Sequence, residues 1–206
     1  MVENQIRRRG IQNRRLLEAL ESVPRHLFVS ENQYPFAYED GPLPIGYGQS
    51  ISQPYIVAYM TDALQVEKTH TVLEIGTGCG YQAAILSHLA RKVISLEIIP
   101  ELAREARKRL RQLGYENVSV FQSNGFEGWP ELAPYDRIIG TAAPKNVPET
   151  LIDQLANNGR MILPVGSHLF NQYLQIITKD DKGNVSVDRS LAVRFVPMVE
   201  KARIEE

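Results

Sequence analysis

The fold is decided by the stretch Glu74-Ile75-Gly76-Thr77-Gly78-Cys79-Gly80. It follows an apolar run at residues 71–75 that is typical of a buried strand, and it opens an apolar helix face that begins at Tyr81. Glycines at such a junction let the backbone approach a ligand closely. Because a strand ends there, the loop should lie at the carboxyl edge of a sheet, where open α/β folds bind ligands. The stretch therefore predicts a ligand site.

Three features favour a compact cationic ligand over a dinucleotide. The glycines have the spacing Gly-x-Gly-x-Gly, and Tyr81 stands where the dinucleotide fingerprint has its third glycine. Glu74, two residues before the first glycine, would repel a pyrophosphate and attract a sulfonium or an ammonium group. From the length of the chain we also expect no second domain that could position the substrate of a nicotinamide cofactor. We therefore expect a small, positively charged cofactor at this loop.

The pattern around the loop predicts a doubly wound α/β sheet. After residue 70, apolar β-rich runs alternate with helical segments, as in parallel βαβ units with helices on both faces. The predicted strands are residues 71–75, 92–97, 118–122, 135–141 and 160–164. Two further runs, at 173–178 and 185–187, flank turn residues 180–184 and predict antiparallel strands at one edge. The fold class expected is a mostly parallel, Rossmann-like sheet with a helical N-terminal extension and an antiparallel C-terminal edge.

The length of 206 residues fits a single domain. Within it we expect N-terminal helices and an active-site loop at 1–69, a cofactor-binding core at 70–165 and C-terminal strands at 166–206. Residues 35–48 contain three prolines and three glycines among aromatic side chains. So many residues that interrupt helices and strands predict an ordered loop that can move, without regular secondary structure.

Charge and composition exclude several partners. Acidic and basic residues nearly cancel, 24 against 23, so no global field attracts nucleic acid or anionic lipid. The apolar runs are far shorter than the roughly 20 residues that span a bilayer. The single cysteine, Cys79, cannot form an internal disulfide, and the N-terminus carries charges where a secretory signal would be apolar. We expect a cytoplasmic monomer with no nucleic-acid or membrane partner.

Two polar residues at predicted strand ends suit a nucleoside-containing cofactor. Glu97 ends the second strand, where a carboxylate can accept hydrogen bonds from both ribose hydroxyls; the alternative is a strand-end charge in solvent. Asn124, followed by Gly125, ends the third strand, where its amide oxygen could accept a hydrogen bond from the adenine amino group. The alternative for this pair is an ordinary Asn-Gly turn.

Neither a nucleophilic cysteine nor a metal site is expected. Cys79 would need a base, and none of the histidines lies on an element that can be brought beside it. The histidines also lack paired metal-ligand spacing. They are His26, His70, His88 and His168.

Several motifs are spread along nearly the whole chain: Val23-Pro24-Arg25, Phe28-Val29, Leu43-Pro44-Ile45-Gly46, Gly48-Gln49-Ser50-Ile51-Ser52-Gln53-Pro54, Val72-Leu73-Glu74-Ile75-Gly76-Thr77-Gly78-Cys79-Gly80-Tyr81-Gln82, Tyr135-Asp136, Thr141-Ala142-Ala143-Pro144, Leu163-Pro164-Val165-Gly166 and Val193-Arg194-Phe195-Val196-Pro197. Together they resemble the protein-L-isoaspartate (D-aspartate) O-methyltransferase family. The glycine loop is common to many methyltransferases, whereas the segment from Gly48 to Pro54 singles out this family.

The resemblance implies that S-adenosylmethionine is the methyl donor and that the acceptor is the free α-carboxyl of isoaspartyl residues in damaged proteins and peptides. It implies Ser52 as the active-site serine. The residues expected around the cofactor are Ser50, Glu74, Gly76, Thr77, Gly78, Gly80, Glu97, Asn124 and Gly125. The chain departs from the family pattern at four positions: Ser50 for Thr, Cys79 for Ser, Asn124 for Asp and Asn158 for Gly. Of these, only Asn124 alters the chemistry offered to the cofactor.

The expected reaction needs no general base. An isoaspartyl α-carboxyl should titrate near pKa ~3.5, so it is already ionised at neutral pH. Ser52 would then orient the carboxylate by donating a hydrogen bond to one of its oxygens while the other attacks. The alternative is that Ser52 caps a helix beginning at Gln53-Pro54.

Three other functions stay open at this level. A small-molecule methyltransferase would share the cofactor site but would not need the segment from Gly48 to Pro54. A non-catalytic binding module would bind cofactor without turnover, although Glu74, Glu97 and Ser52 argue against it. A dehydrogenase is a distant third, which the failure of a reduced nicotinamide cofactor to bind would exclude.

Overall fold

The computed structural model describes residues 1–167 and 171–201 and contains two sheets. A small hairpin consists of β1 (Leu43–Gly46) and β2 (Gln49–Ile51). The main sheet has seven strands: β3 (Thr71–Ile75), β4 (Lys92–Glu97), β5 (Val118–Gln122), β6 (Tyr135–Gly140), β7 (Leu155–Val165), β8 (Gln172–Lys179) and β9 (Val185–Val193).

The main sheet has the order β5-β4-β3-β6-β7-β8-β9. The pairs from β5 to β7 are parallel, whereas β7–β8 and β8–β9 are antiparallel. The predicted doubly wound sheet with an antiparallel edge is thus confirmed. The chain moves outward from β3 through β4 to β5 and then returns to place β6 on the other side of β3. This reversal opens a crevice at the carboxyl ends of β3 and β6, where such folds bind ligands.

The helices are α1 (Arg14–Ser22), α2 (Pro54–Leu64), α3 (Tyr81–Leu89), α4 (Pro100–Gln112) and α5 (Glu149–Asp153). Short helical turns occupy Val2–Ile6, Arg7–Arg9, Arg25–Phe28, Glu31–Phe36 and Pro130–Leu132. No helix within the described ranges is long and apolar enough to cross a bilayer.

Apolar side chains on the two faces of the sheet form separate clusters. Successive strand residues point to opposite faces, and β3 shows this directly. Val72 packs in the cluster that contains the buried residues of α1, α2 and α3. Leu73 packs in the other cluster, together with Leu151 of α5. All five residues of β3 are buried, so the strand that carries the glycine loop is covered on both faces.

The sequence prediction for residues 35–48 is wrong, because part of this segment forms β1 and the turn into β2. Gly46, Tyr47 and Gly48 have φ values of 88°, 53° and 65° and make that turn. The glycines thus permit a hairpin by supplying left-handed backbone instead of preventing regular structure.

Two predicted strands are longer than expected. β9 extends to Val193, and β7 begins at Leu155 instead of Arg160. The early part of β7 is irregular, since its register with β6 shifts between Tyr135 and Arg137. Asn158 lies in this irregular part with φ 59°. Left-handed backbone favours glycine and tolerates asparagine, which explains why Asn158 can replace the glycine of the family pattern.

Candidate active site

A cavity of about 620 Å³ lies at the carboxyl ends of the central strands. Its floor comes from the loop after β3, the end of β4 and the segments after β5 and β6; the floor residues include Ile75, Gly76, Gly78, Leu96, Glu97, Ser123, Gly125, Thr141 and Ala142. One wall is the hairpin tip at residues 47–50, and another wall is residues 196–199. The crevice predicted from the strand order is therefore a cavity with two added walls.

The glycine loop is fixed from both sides. The N–H groups of Gly76 and Thr77 both donate to the Leu96 carbonyl of β4, at 2.8 and 3.0 Å. The Thr141 hydroxyl, just after β6, donates to the Gly76 carbonyl at 2.7 Å. Gly76 has φ 96°, and a Cβ at this position would overlap the Thr141 hydroxyl. Only glycine fits here, because the conformation and the space both exclude a side chain.

Glu97 lies in the cavity floor and is only 6% exposed. Its carboxylate accepts the Gly78 N–H at 2.7 Å and the Ile99 N–H at 3.0 Å. Burial raises the pKa of this carboxyl, while the two N–H donors act in the opposite direction. The alternative of a strand-end charge in solvent is wrong. Each carboxylate oxygen keeps a second acceptor site, so Glu97 can still accept hydrogen bonds from ligand hydroxyls.

Glu74 does not line the cavity. Its side chain is fully buried below the loop, where the Ser95 hydroxyl donates to it at 2.5 Å. The Thr77 hydroxyl lies 2.5 Å from that of Ser95, so a hydrogen-bonded chain links Glu74 to the glycine loop. Burial, with a smaller effect from the Glu97 charge, raises the pKa of Glu74 to about 8. Glu74 was expected to contact the cofactor directly, but its buried side chain lies outside the cavity lining. We therefore interpret the residue as a support for the loop.

Asn124 also lies outside the cavity lining, although Ser123 and Gly125 on either side belong to it. Its amide oxygen accepts the Phe126 N–H at 3.0 Å, and its amide nitrogen donates to Glu127 at 2.9 Å. This geometry matches the alternative reading of an Asn-Gly turn and not a contact with adenine. Gly125 is required because a Cβ there would overlap Ile75.

Ser52 lines a second, smaller cavity of about 40 Å³. The two cavities adjoin, since four residues line both: Ser50, Gly76, Gly78 and Thr141. The small cavity is further lined by Thr77, Cys79, Tyr81 and Gln82. The N-cap of α2 is Gln53, and no side chain caps that helix. The reading of Ser52 as a helix cap is therefore wrong, and Ser52 instead lines the small cavity beside the larger one.

Two predicted loop residues have other surroundings. Gly80 lines neither cavity; it precedes α3 with φ 93° and packs against Leu110 of α4. Cys79 is buried, and burial raises the pKa of its thiol, which disfavours the nucleophilic thiolate. Residues 1–167 and 171–201 contain no group of three side chains that could hold a metal ion. His168 lies outside the described residues.

The wall at residues 196–199 and the preceding Phe195, together called the strap here, carry no predicted site residue. Ala143 holds it by donating its N–H to the Val196 carbonyl at 2.8 Å and accepting the Met198 N–H at 2.9 Å. The buried Gln172 side chain clamps Phe195, accepting its N–H at 2.6 Å and donating to its carbonyl at 3.2 Å. The strap sequence is apolar and offered no chemical signal, although its first part belongs to a motif that carried the resemblance.

Comparison with known proteins identifies the family of this chain. The family model of protein-L-isoaspartate(D-aspartate) O-methyltransferase matches residues 1–203. The protein-L-isoaspartate O-methyltransferase of Picosynechococcus sp. is 50% identical over 96% of this chain and 88% of its own, and that of Gloeobacter violaceus is 48% identical over 96% of both.

Two solved structures have a fold similar to that of this chain. One described as a protein-L-isoaspartate O-methyltransferase has a TM-score of 0.88 at 29% identity, covering 98% of this chain and 67% of its own. A Plasmodium falciparum structure, described as such an enzyme in complex with S-adenosyl-L-homocysteine, has a TM-score of 0.82 at 25% identity, covering 97% of both chains. The chain belongs to the protein-L-isoaspartate (D-aspartate) O-methyltransferase family.

Proposed function

We propose that this protein transfers the methyl group of S-adenosylmethionine to the free α-carboxyl of isoaspartyl residues in damaged proteins and peptides. The observation that carries the proposal is the pair of adjoining cavities, the larger one over the glycine loop and Glu97 and the smaller one at Ser52. Family membership and a relative described in complex with S-adenosyl-L-homocysteine support the same donor.

The residues of the larger cavity fit this cofactor. Glu97 offers a buried carboxylate to ribose hydroxyls. Gly76 and Gly125 line the same cavity, and both positions require glycine because a Cβ there would overlap Thr141 or Ile75. Ser50 and Gly78 line the passage toward Ser52. When bound, the cofactor supplies an electrophilic methyl group on a positively charged sulfur.

The protein contributes position and environment. The acceptor carboxyl, with a pKa of ~3.5, is ionised at neutral pH, so no residue has to remove a proton. Ser52 donates a hydrogen bond to one carboxylate oxygen and leaves the other free to attack. Holding the reacting groups in line can supply on the order of 7–11 kcal/mol at most. Opposite charges neutralise each other in the transition state, so a water-poor cavity favours the transfer.

The methyl ester then reacts further without the enzyme. The following backbone amide nitrogen attacks the ester carbonyl, methanol leaves, and a succinimide ring forms. Hydrolysis of that ring yields both aspartyl and isoaspartyl forms, so each cycle repairs only part of the damage.

A matched pair of peptides tests the proposed function. One peptide contains a single isoaspartyl residue and the other contains aspartate at the same position. We expect methyl transfer to the isoaspartyl peptide and not to its twin, because only the former presents a free α-carboxyl in the chain. Equal methylation of both, or of neither while S-adenosyl-L-homocysteine binds, would favour the alternative of a small-molecule methyltransferase.

The sequence also predicts a cytoplasmic monomer of one domain without nucleic-acid or membrane partners, and these points stay predictions. Sedimentation equilibrium with and without an isoaspartyl peptide would test the monomeric state. A mass that doubles with protein concentration would contradict it.

A further inference from the structure

Arg25 is a buried charge that the proposed reaction has not used. It opens the helical turn Arg25–Phe28 and is 0% exposed. A buried charge is costly unless it is paired and hydrogen-bonded. None of the ion pairs in the described part of the chain includes Arg25. Burial lowers the pKa of Arg25, yet an arginine stays charged at neutral pH.

Two main-chain carbonyls bind the guanidinium instead. Arg25 Nε donates to the Ala37 carbonyl at 2.8 Å, and Nη2 donates to the Ser52 carbonyl at 2.7 Å. Ala37 and Ser52 stand on either side of the hairpin formed by β1 and β2. One side chain thus joins the two ends of the segment that contains the hairpin, which is one wall of the large cavity.

The same guanidinium reaches the glycine-loop side of the site. Its central carbon lies 4.9 Å from the centre of the Tyr81 ring. Tyr81 is the first residue of α3, directly after the glycine loop, and lines the small cavity with Ser52. The third nitrogen, Nη1, is buried and has no hydrogen-bond partner. Arg25 therefore connects Ser52 to Tyr81 at the end of the cofactor loop. Its charge is paired with no carboxylate in the described part of the chain and lies beside these two residues of the small cavity.

We propose that Arg25 is a positioning residue for the methyl acceptor: it fixes Ser52 against the cofactor loop, and its charge favours an anionic acceptor over a neutral one. The proposal rests on the proposed function. A fixed guanidinium can hold two carbonyls at once, whereas a lysine ammonium keeps the charge without the planar fork. A carboxylate bound at Ser52 would lie near this charge, since Arg25 binds the Ser52 carbonyl and its burial keeps bulk water from screening the charge.

The two contributions can be separated by two variants. In Arg25→Lys the charge stays and the two-point geometry is lost, so kcat for the isoaspartyl peptide should fall by about tenfold with little change in KM. In Arg25→Met both are lost, so kcat should fall and the peptide KM should rise, giving a loss in kcat/KM of about 100-fold. In both variants the Kd of S-adenosyl-L-homocysteine should stay within about threefold.

Arg15→Met is the matched control. Arg15 is a partly buried arginine that also donates to two main-chain carbonyls, those of Val66 and Leu89. Neither cavity of the site includes Arg15 or these partners. This variant should lower the melting temperature while kcat and the peptide KM stay at the parent values.

Several results would overturn the proposal. If affinity for S-adenosyl-L-homocysteine falls in parallel with kcat/KM in both Arg25 variants, or if neither variant folds, Arg25 supports the scaffold as a whole. If both variants match Arg15→Met in kcat and KM, Arg25 has no role toward the acceptor. Should the parent protein bind S-adenosyl-L-homocysteine but fail to methylate the isoaspartyl peptide, the proposed function fails and the acceptor role of Arg25 with it.

Discussion

The floor and the walls of the large cavity are held in different ways. The floor includes the glycine loop, which follows the buried strand β3 and is fixed by hydrogen bonds with Leu96 and Glu97 at the end of β4 and with Thr141 after β6. The walls are the hairpin and the strap, and buried side chains tie both to the rest of the protein. Arg25 binds the hairpin ends and Gln172 clamps the strap. We infer that the floor is a rigid cofactor platform, that the strap completes the cofactor cavity, and that the hairpin side with Ser52 orients the acceptor.

The largest effect is expected from a side chain in the floor. Gly76→Ala would place a methyl group against the Thr141 hydroxyl at a φ of 96°. We expect affinity for S-adenosyl-L-homocysteine to fall by about 100-fold, equivalent to about 2.7 kcal/mol. Isothermal titration calorimetry measures this directly. Gly41→Ala is the control, since a Cβ at Gly41 meets nothing within 4 Å. Equal affinity in the two variants would mean that the loop is not rigid.

The buried acid below the floor should make stability depend on pH. Glu74 has a pKa of about 8 in the folded protein against an ordinary value of 4.5 in the unfolded chain. A raised folded pKa gives stability that is greatest below the unfolded pKa and is lost as pH rises through the folded one. Glu74→Gln stays neutral and should escape this loss. Relative to the parent, its unfolding free energy should therefore rise by about 2 kcal/mol between about pH 6 and about pH 9.

Chemical denaturation of the parent and Glu74→Gln at both pH values measures the difference. Parallel pH profiles would show that the carboxyl is not held neutral. Activity is not needed for this test, so it examines the platform separately from the reaction.

The third prediction concerns the carboxylate that faces the cofactor. Glu97→Ala removes one or two charge-assisted hydrogen bonds to the ribose, each contributing about 1.5–3 kcal/mol, so affinity for S-adenosyl-L-homocysteine should fall at least about tenfold. Glu116→Ala, which removes an exposed carboxylate that precedes β5, is the control. Calorimetry that finds the same Kd for both variants would remove Glu97 from the cofactor site.

A smaller effect is expected when a wall is loosened. Gln172→Leu keeps the side-chain volume but leaves the N–H and carbonyl of Phe195 without their partner. The strap should detach more often, and affinity for S-adenosyl-L-homocysteine should fall by about fivefold. Gln175→Leu, on the same strand, is the matched control. If both substitutions leave the affinity unchanged, the strap is not a functional wall of the cofactor cavity.

The sequence predicted the floor far better than the walls. The strands at 71–75, 92–97 and 118–122 match the structure at both ends, because apolar runs and the glycine loop are local signals. The hairpin was missed because its breakers supply positive φ at the turn. The strap was missed because its role depends on Gln172 and Ala143, which are distant in sequence from it.

The directions in which individual side chains point could not be predicted from the sequence either. Glu74 and Asn124 stand at the predicted strand ends, but Ser95 binds one and the backbone N–H of Phe126 binds the other, so neither faces the cavity. Arg25 belongs to the motif Val23-Pro24-Arg25, which carried the resemblance, but only its burial and its two carbonyl partners indicate a role for it.

The division between platform and wall is tested most directly by Ser52→Ala, with kcat for the isoaspartyl peptide and the Kd of S-adenosyl-L-homocysteine measured on one preparation. If Ser52 orients the acceptor, the lost interaction belongs mainly to the transition state. We expect kcat to fall by about 10- to 100-fold while the Kd stays within about threefold. A variant that turns over at the parent rate, or that loses cofactor affinity as steeply as activity, would contradict this account.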